Sequence, residues 1–212
     1  MPQATPLDAD LLISPGCAIC PGVIEALTQL IERGELSSLH IYNLRDYPEK
    51  AVEAGTRSVP WIRIGEFEFT GGHTLDELTH WVRMARQPDG RKAYLLHLLD
   101  HNQLPKVTEL AHGPDWLAAL LAISADLEAP MAARIGASAA IEQLAGGEAL
   151  RSQVGKLIEM SHSDDRQTRA DAAYFLGLVG GGQATERLRA LLQDEDPEVR
   201  EIAREALGST AE

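Results

Sequence analysis

The chain has 212 residues, 44% of them apolar, 24% charged and 5% aromatic, with a net charge of −13. That is enough apolar material to bury the core of one or two domains, and no apolar run reaches the ~20 residues a membrane-spanning helix needs. The acidity is shared, −6 over residues 1–90 and −7 over residues 91–212, which argues against nucleic acid as a partner, because phosphates call for Lys/Arg clusters, and favours basic protein surfaces instead. Met1–Asp10 holds no basic residue and no apolar segment of the kind that opens a secretory leader. A cytoplasmic address is therefore expected, with no membrane partner.

In chain order, Asp10–Ser14 reads as a buried strand ended by Ser14-Pro15-Gly16. Cys20–Glu32 reads as a helix, with Val23, Ile24, Leu27, Leu30 and Ile31 on one stripe and Arg33-Gly34 as its stop. Leu39–Leu44 alternates as a strand should, and Pro48–Ala54 reads as a short helix closed by Gly55. Trp61–Ile64 and Phe67–Thr70, separated by Gly65-Glu66, form an expected hairpin. After Gly71-Gly72, His73–Arg86 is an amphipathic helix with Leu75, Leu78, Trp81, Val82 and Ala85 inward, and His73 is expected to cap or line its start. The order is β-α-β-α-β-β-α.

Gln87-Pro88-Asp89-Gly90 reads as a linker. The expected domains are residues 1–88 and 89–212. The second is all helical, over 93–99, 104–111, 116–127, 131–144, 148–160, 166–179, 184–192 and 197–207. Thr168–Gly177 matches Val199–Gly208 at an offset of 31, and a weaker copy, Ala133-Arg134 with Ala137, Ala140 and Ile141, precedes at an offset of 35. A period of this length with helical grammar predicts a solenoid of stacked helix pairs, about three and a half of them, ending in a half-repeat. Asp165 and Asp196 stand four residues before Arg169 and Arg200, and these pairs are expected to form a ladder between repeats.

The only two cysteines are Cys17 and Cys20, placed between the first strand and the first helix. A lone CxxC pair in such a chain is redox-active or metal-binding sooner than a structural staple. A zinc site needs about four ligands, and with two Cys and no His pair at finger spacing that reading ranks far below redox chemistry. His97 and His101 share a helix face and weigh as surface histidines ahead of a metal pair. Trp61 is expected in the core, and Trp116 and Tyr174 in repeat packing.

Cys17-Ala18-Ile19-Cys20, Val59-Pro60 and Gly71-Gly72 together resemble the thioredoxin superfamily, at the spacing of its minimal fold. Pro21 after Cys20 is similar to CxxCP redox domains such as archaeal protein disulfide oxidoreductases, and closer to glutaredoxins than to thioredoxin proper. Gly16 replaces thioredoxin's Trp, Ala18-Ile19 its Gly-Pro, and Leu11 its buried Asp, so the usual proton relay is not expected. The later half resembles HEAT-like repeats of the short type seen in phycobilisome lyases; a scaffold of this kind carries no lyase chemistry with it.

The resemblance implies a thioredoxin-like α/β domain followed by an all-α HEAT-like solenoid. It implies Cys17 as the nucleophile at a helix N-terminus, Cys20 as the resolving thiol, and a cis Val59-Pro60 loop against the sulfurs. There Pro60 offers no N–H and keeps metal off the dithiol, while the Val59 backbone pairs with an extended substrate. Glu25 is expected to face solvent. No metal or bound cofactor is expected; Gly71-Gly72 either receives a glutathione carboxylate, making glutathione a possible reductant, or is a plain turn. The leading function is a thiol-disulfide oxidoreductase acting on a protein disulfide. Its helical repeats would dock a protein client or reductase. The alternatives are a redox-switched interaction module without turnover and a glutathione-linked, glutaredoxin-like enzyme.

Overall fold

The protein is described here from a computed structural model, which describes residues 6–209; the first five residues of the Met1–Asp10 stretch read above for a leader lie outside them. The chain divides into two compact units, Met1–Gly90 and Arg91–Glu212. The first contains β1 (Asp8–Ile13), α1 (Cys20–Glu32), β2 (Ser38–Asn43), α2 (Glu49–Glu53), β3 (Trp61–Ile64), β4 (Phe67–Thr70) and α3 (Leu75–Met84).

Its sheet has the order β2-β1-β3-β4. The β1-α1-β2 crossover makes β1 and β2 parallel, and β3 and β4 join as antiparallel strands. Ala9 and Leu11 of β1 are buried on one face, with Ile62 and Ile64 of β3. α1 packs on α3 and β2, and it buries Val23, Ala26, Leu27 and Leu30, while α3 buries Leu78, Trp81 and Val82. Side chains of this size contribute about 1.5–3 kcal/mol each on leaving water.

The first strand is not buried throughout, as its apolar run suggested. Period-two alternation sends Asp10 to the opposite face, where the register sets His40, Asp10, Arg63 and Glu68 in one row across all four strands. Asp10 is bonded by Arg63 and lies 3.3 Å from His40 Nδ1. The face is polar across this row, while Leu12 and Trp61, next along it, are buried. The edge strand β2 likewise fails to alternate cleanly: none of its residues is fully buried.

Of the two roles expected for His73 at the start of α3, it lines the start and does not cap it. Thr74, not His73, is the cap: its hydroxyl accepts the Glu77 N–H, and the Glu77 carboxylate accepts the Thr74 N–H at 2.7 Å, a reciprocal capping box. The expected linker is shorter than read. Gly90 is buried and is already the first residue of α4 (Gly90–Asp100). A Cβ there would sit 2.0 Å from the Met84 carbonyl oxygen, so no side chain fits.

The second unit continues with α5 (Leu104–Leu110), α6 (Pro114–Ser124), α7 (Met131–Glu142), α8 (Glu148–Ser152), α9 (Val154–Met160), α10 (Arg166–Val179), α11 (Gly182–Leu191) and α12 (Pro197–Ser209). The single helix expected over 148–160 is two helices. The chain leaves helical geometry at Gln153 (φ −97°, ψ 7°), which ends α8 and opens α9, with the weaker helix formers Ser152, Val154 and Gly155 around it. α12, expected as a half-repeat, packs on both α10 and α11. Trp116 is buried against Tyr94, but Tyr174 is 42% exposed rather than buried between repeats.

The repeat copies have a common bonding pattern. Arg169 donates to the Ser163 and Asp164 carbonyls, and Arg200 to those of Asp194 and Glu195, 31 residues on. Arg134, in the weaker copy, departs from this pattern and donates to the carbonyl of Ser124, the last residue of α6. The ladder is built differently from the expected Asp–Arg pairs. Asp165 caps α10 by accepting the Thr168 N–H at 2.8 Å, and that bond, with the Thr168 hydroxyl, holds its carboxyl below the usual range. Arg169 turns instead to Asp194 of the following loop, with two parallel bonds of 3.0 Å. Burial alone would raise the Asp194 carboxyl, but the Arg169 bonds and the Asp196 N–H hold it low.

Candidate redox site

The site begins where β1 runs out of apolar residues. Ser14-Pro15-Gly16 turns the chain, and Gly16 has φ +82°, a conformation L side chains rarely adopt. This gives a backbone reason for a glycine where thioredoxin has its Trp. The Cys17 N–H then donates to the Ser14 carbonyl at 3.3 Å.

Cys17 and Cys20 are joined in a disulfide, with Cα atoms 5.5 Å apart. Cys20 is the first residue of α1 and is 4% exposed; Cys17 stands before the helix and is half-buried. No side chain caps α1. The N–H of Cys20 donates to Cys17 Sγ at 3.2 Å, so the sulfur itself takes one of the helix's unpaired donors. Pro21 lies in the first turn, where its missing N–H leaves no bond unmade. A donor and the positive helix end both favour negative charge on Cys17 once the bond is reduced.

The Val59-Pro60 peptide is cis, and Pro60 is buried. Leu12 pairs with Trp61, so antiparallel register carries Pro60 to the C-terminal end of β1, where the cysteine loop starts. The Pro60 carbonyl accepts the Gly71 N–H at 2.9 Å. Gly72 in turn faces Ile19: a Cβ on it would meet the Ile19 side chain at 3.8 Å. Hydrogen bonding and packing thus link three segments far apart in sequence.

Ala18, Ile19, Glu25, Gln29, Gly72 and His73 border an open groove of about 510 Å³. Ile19 is 51% exposed, and Glu25 faces solvent. Sequence reasoning placed His73 only at a helix start. Its ring stands edge-on to Phe69, with Nδ1 3.7 Å from the Glu77 carboxylate, so it brings a titratable group to the groove. Its position directly after Gly71-Gly72 was the available signal. At the place of thioredoxin's buried Asp, Leu11 is fully buried between apolar neighbours. His97 and His101 lie with ring centroids 4.2 Å apart and planes tilted by 40°. Among the described residues no group of three or more His, Cys, Asp or Glu side chains is arranged to hold a metal.

A mixed sheet with a disulfide-closed CxxC at the start of α1 and a cis-proline before β3 defines a thioredoxin-like domain. The family model for the thioredoxin domain matches residues 9–83, and that for HEAT repeats matches residues 154–212. The chain therefore joins a thioredoxin-like domain to a helical HEAT-repeat region. None of the curated proteins compared matches it. No described helix is long and apolar enough to cross a membrane.

Proposed function

We propose that the protein is a thiol-disulfide oxidoreductase acting on protein disulfides, with its helical repeats as the docking half. The observation that carries this reading is the asymmetry of the pair: Cys17 half-buried and bonded by the Cys20 N–H, Cys20 buried behind it. In the reduced protein the Cys17 thiolate attacks one sulfur of a client disulfide and releases the other as a thiolate. Cys20 then attacks Cys17 Sγ, frees the client's second thiolate and closes Cys17–Cys20. Two electrons pass to the client, and an external dithiol returns the pair to the reduced form; the reverse sequence oxidises a client dithiol.

In this reading the Val59 backbone pairs with the client chain, and Pro60 fills the space beside the sulfurs without presenting an N–H. The repeats raise the local concentration of one client at the thiol. The site of action is taken to be the cytoplasm. Insulin reduction by the full-length protein tests the proposal: turnover lost in Cys17→Ser supports it, and an inert wild-type protein overturns it. The groove beside Ile19, with Gly72, His73 and Thr74 at a helix start, favours one second reading, a glutathione-linked enzyme. Activity in a glutathione-coupled disulfide assay, without need of a protein reductant, would mark that variant.

A further inference from the structure

We propose that Glu25 selects protein clients that carry a Lys or Arg close to the cysteine under attack; this rests on reading Cys17 as the exchanging thiol and names the class of client it takes. The groove beside the disulfide runs between α1 and the start of α3. Its α1 wall is Gly22, Glu25, Ala26 and Gln29, residues three or four apart and therefore on one side of the helix. Residues 72–75 form the facing wall. A Cβ on Gly22 would meet nothing within 4 Å, so the floor stays open for a passing chain. Ile19, half exposed between the two cysteines in sequence, borders the same groove and makes it continuous with the redox loop.

The other polar side chains at this groove are already engaged. The Glu77 carboxylate accepts the Thr74 N–H at 2.7 Å and the Thr74 hydroxyl at 3.0 Å, and it stands 3.7 Å from His73 Nδ1. Gln29 Oε1 accepts a bond from Arg33 at 3.4 Å. Glu25 differs from them. It is exposed, and among the described residues its carboxylate has no hydrogen bond or ion pair. Among the described residues that border the groove there is also no Lys or Arg. An unpaired carboxylate beside a reactive sulfur leaves a place for a cation that the client supplies.

The reach fits a nearby residue of the client. Glu25 lies five residues past Cys20, about 7.5 Å along the axis at about 1.5 Å per residue. An extended client advances about 3.3 Å per residue. A Lys or Arg two to four residues from the attacked cysteine therefore brings its charge to Glu25. A charge pair at the rim of an interface acts mainly on the rate of capture and on its salt dependence. An acidic client meets repulsion instead, from Glu25 at short range and from the net −6 of residues 1–90 at long range.

The test uses the reduced full-length protein and two disulfide-linked peptide dimers: Ser-Lys-Ala-Cys-Ala-Lys-Ser joined through its cysteine, and the same peptide with Glu for Lys. The Cys17 thiolate attacks one peptide sulfur and releases the other peptide as a thiolate. Cys20 then frees the second peptide and closes Cys17–Cys20, so each dimer yields two thiol peptides. Rates are read by chromatography after acid quench, and each Lys-to-Glu ratio is divided by that for dithiothreitol, which removes the peptides' own reactivity. Wild type favours the Lys dimer, less so as salt rises. Glu25→Gln lowers the normalised ratio about threefold or more, the scale of an exposed pair met once as attraction and once as repulsion, and Glu25→Lys lowers it further. Glu32→Gln removes the same charge from the end of α1, outside the groove, and leaves the ratio near wild type. Both dimers meet the same thiol, so a change in the thiol itself cancels in the ratio. Equal rates with the two dimers in an active wild type, an unchanged ratio in Glu25→Gln, or an equal fall in Glu32→Gln overturns the proposal and leaves the exchange reading standing. A wild type inert toward both dimers overturns the exchange reading, and the selection by Glu25 with it.

Discussion

Two helix starts, that of α10 in the helical unit and that of α1 in the thioredoxin-like unit, serve opposite purposes. In the helical unit the same contact recurs: Arg169 and Arg200 each tie a helix to the loop before it, and Asp165 caps α10 with a side chain. In the thioredoxin-like unit the start of α1 has no side-chain cap, and its Cys20 N–H is given to a sulfur. A helix end satisfied by its own side chain is stable and inert. One satisfied by a reducible atom holds a donor ready for a charge that appears only during reaction. Repetition builds the scaffold, and a helix start that gives its N–H to a reducible sulfur builds the site.

The largest effect separates chemistry from scaffold. Cys17→Ser takes disulfide exchange to background, because the serine hydroxyl is no thiolate at neutral pH, while the melting of both units stays near wild type apart from the lost cross-link. Insulin turbidity and calorimetry read the two halves of that statement. If Cys17→Ser keeps exchange activity, the asymmetry assigned to the pair is wrong.

Next in size is Arg169→Ala. The guanidinium is 7% exposed and bidentate to Asp194, and removing one partner of a buried pair costs about 3 kcal/mol. Chemical denaturation followed by helical circular dichroism should show that loss, with the insulin-reduction rate per folded molecule unchanged. A fall in both would mean that the units do not work as separate halves.

The same pair gives a pH dependence. The Asp194 carboxyl is held below its ordinary value, so its contribution is complete above the unfolded carboxylate range, near 4, and is lost as pH falls through the lower folded value. Asp171 works the other way, since burial raises its carboxyl and its protonation on acidification stabilises the fold. Comparing wild type with Arg169→Ala removes the Arg169 bonds to Asp194 together with the more exposed one to Glu195. Between about pH 5 and 3 the wild-type melting temperature falls more steeply than that of the variant. Parallel curves would contradict the assignment.

The smallest expected effects are at the caps. Asp165→Ala in the helical unit and Thr74→Ala in the thioredoxin-like unit each cost about 1 kcal/mol. Each is read as a shift in its own unit's transition, with exchange activity retained.

Much of this was legible in the sequence because the signals are local. Period-two and helical apolar spacing, Gly-Pro breaks and the 31-residue offset mark the elements, and α10 spans the residues its stripe predicts. CxxC, Val-Pro and Gly-Gly are short motifs that lie together only through sheet register, which a family resemblance supplies and periodicity does not. What was missed is non-local. Arg169 bonds a carboxylate 25 residues ahead instead of the Asp four residues back, and no spacing rule distinguishes those partners. The row from His40 to Glu68 exists only once four strands align. At the start of α3 the cap is Thr74, which Thr-x-x-Glu makes readable, and of the two roles expected for His73 only lining holds.

The central claim is that Cys17 exchanges disulfides and Cys20 resolves them. Its most direct measurement is the reaction of reduced, full-length Cys20→Ser protein with insulin, quenched in acid and mapped by peptide mass. The account predicts a stable mixed disulfide on Cys17, one per chain, with wild type turning over under the same conditions and accumulating none. A Cys20→Ser protein that forms no adduct, beside a wild type that reduces no insulin, would contradict it.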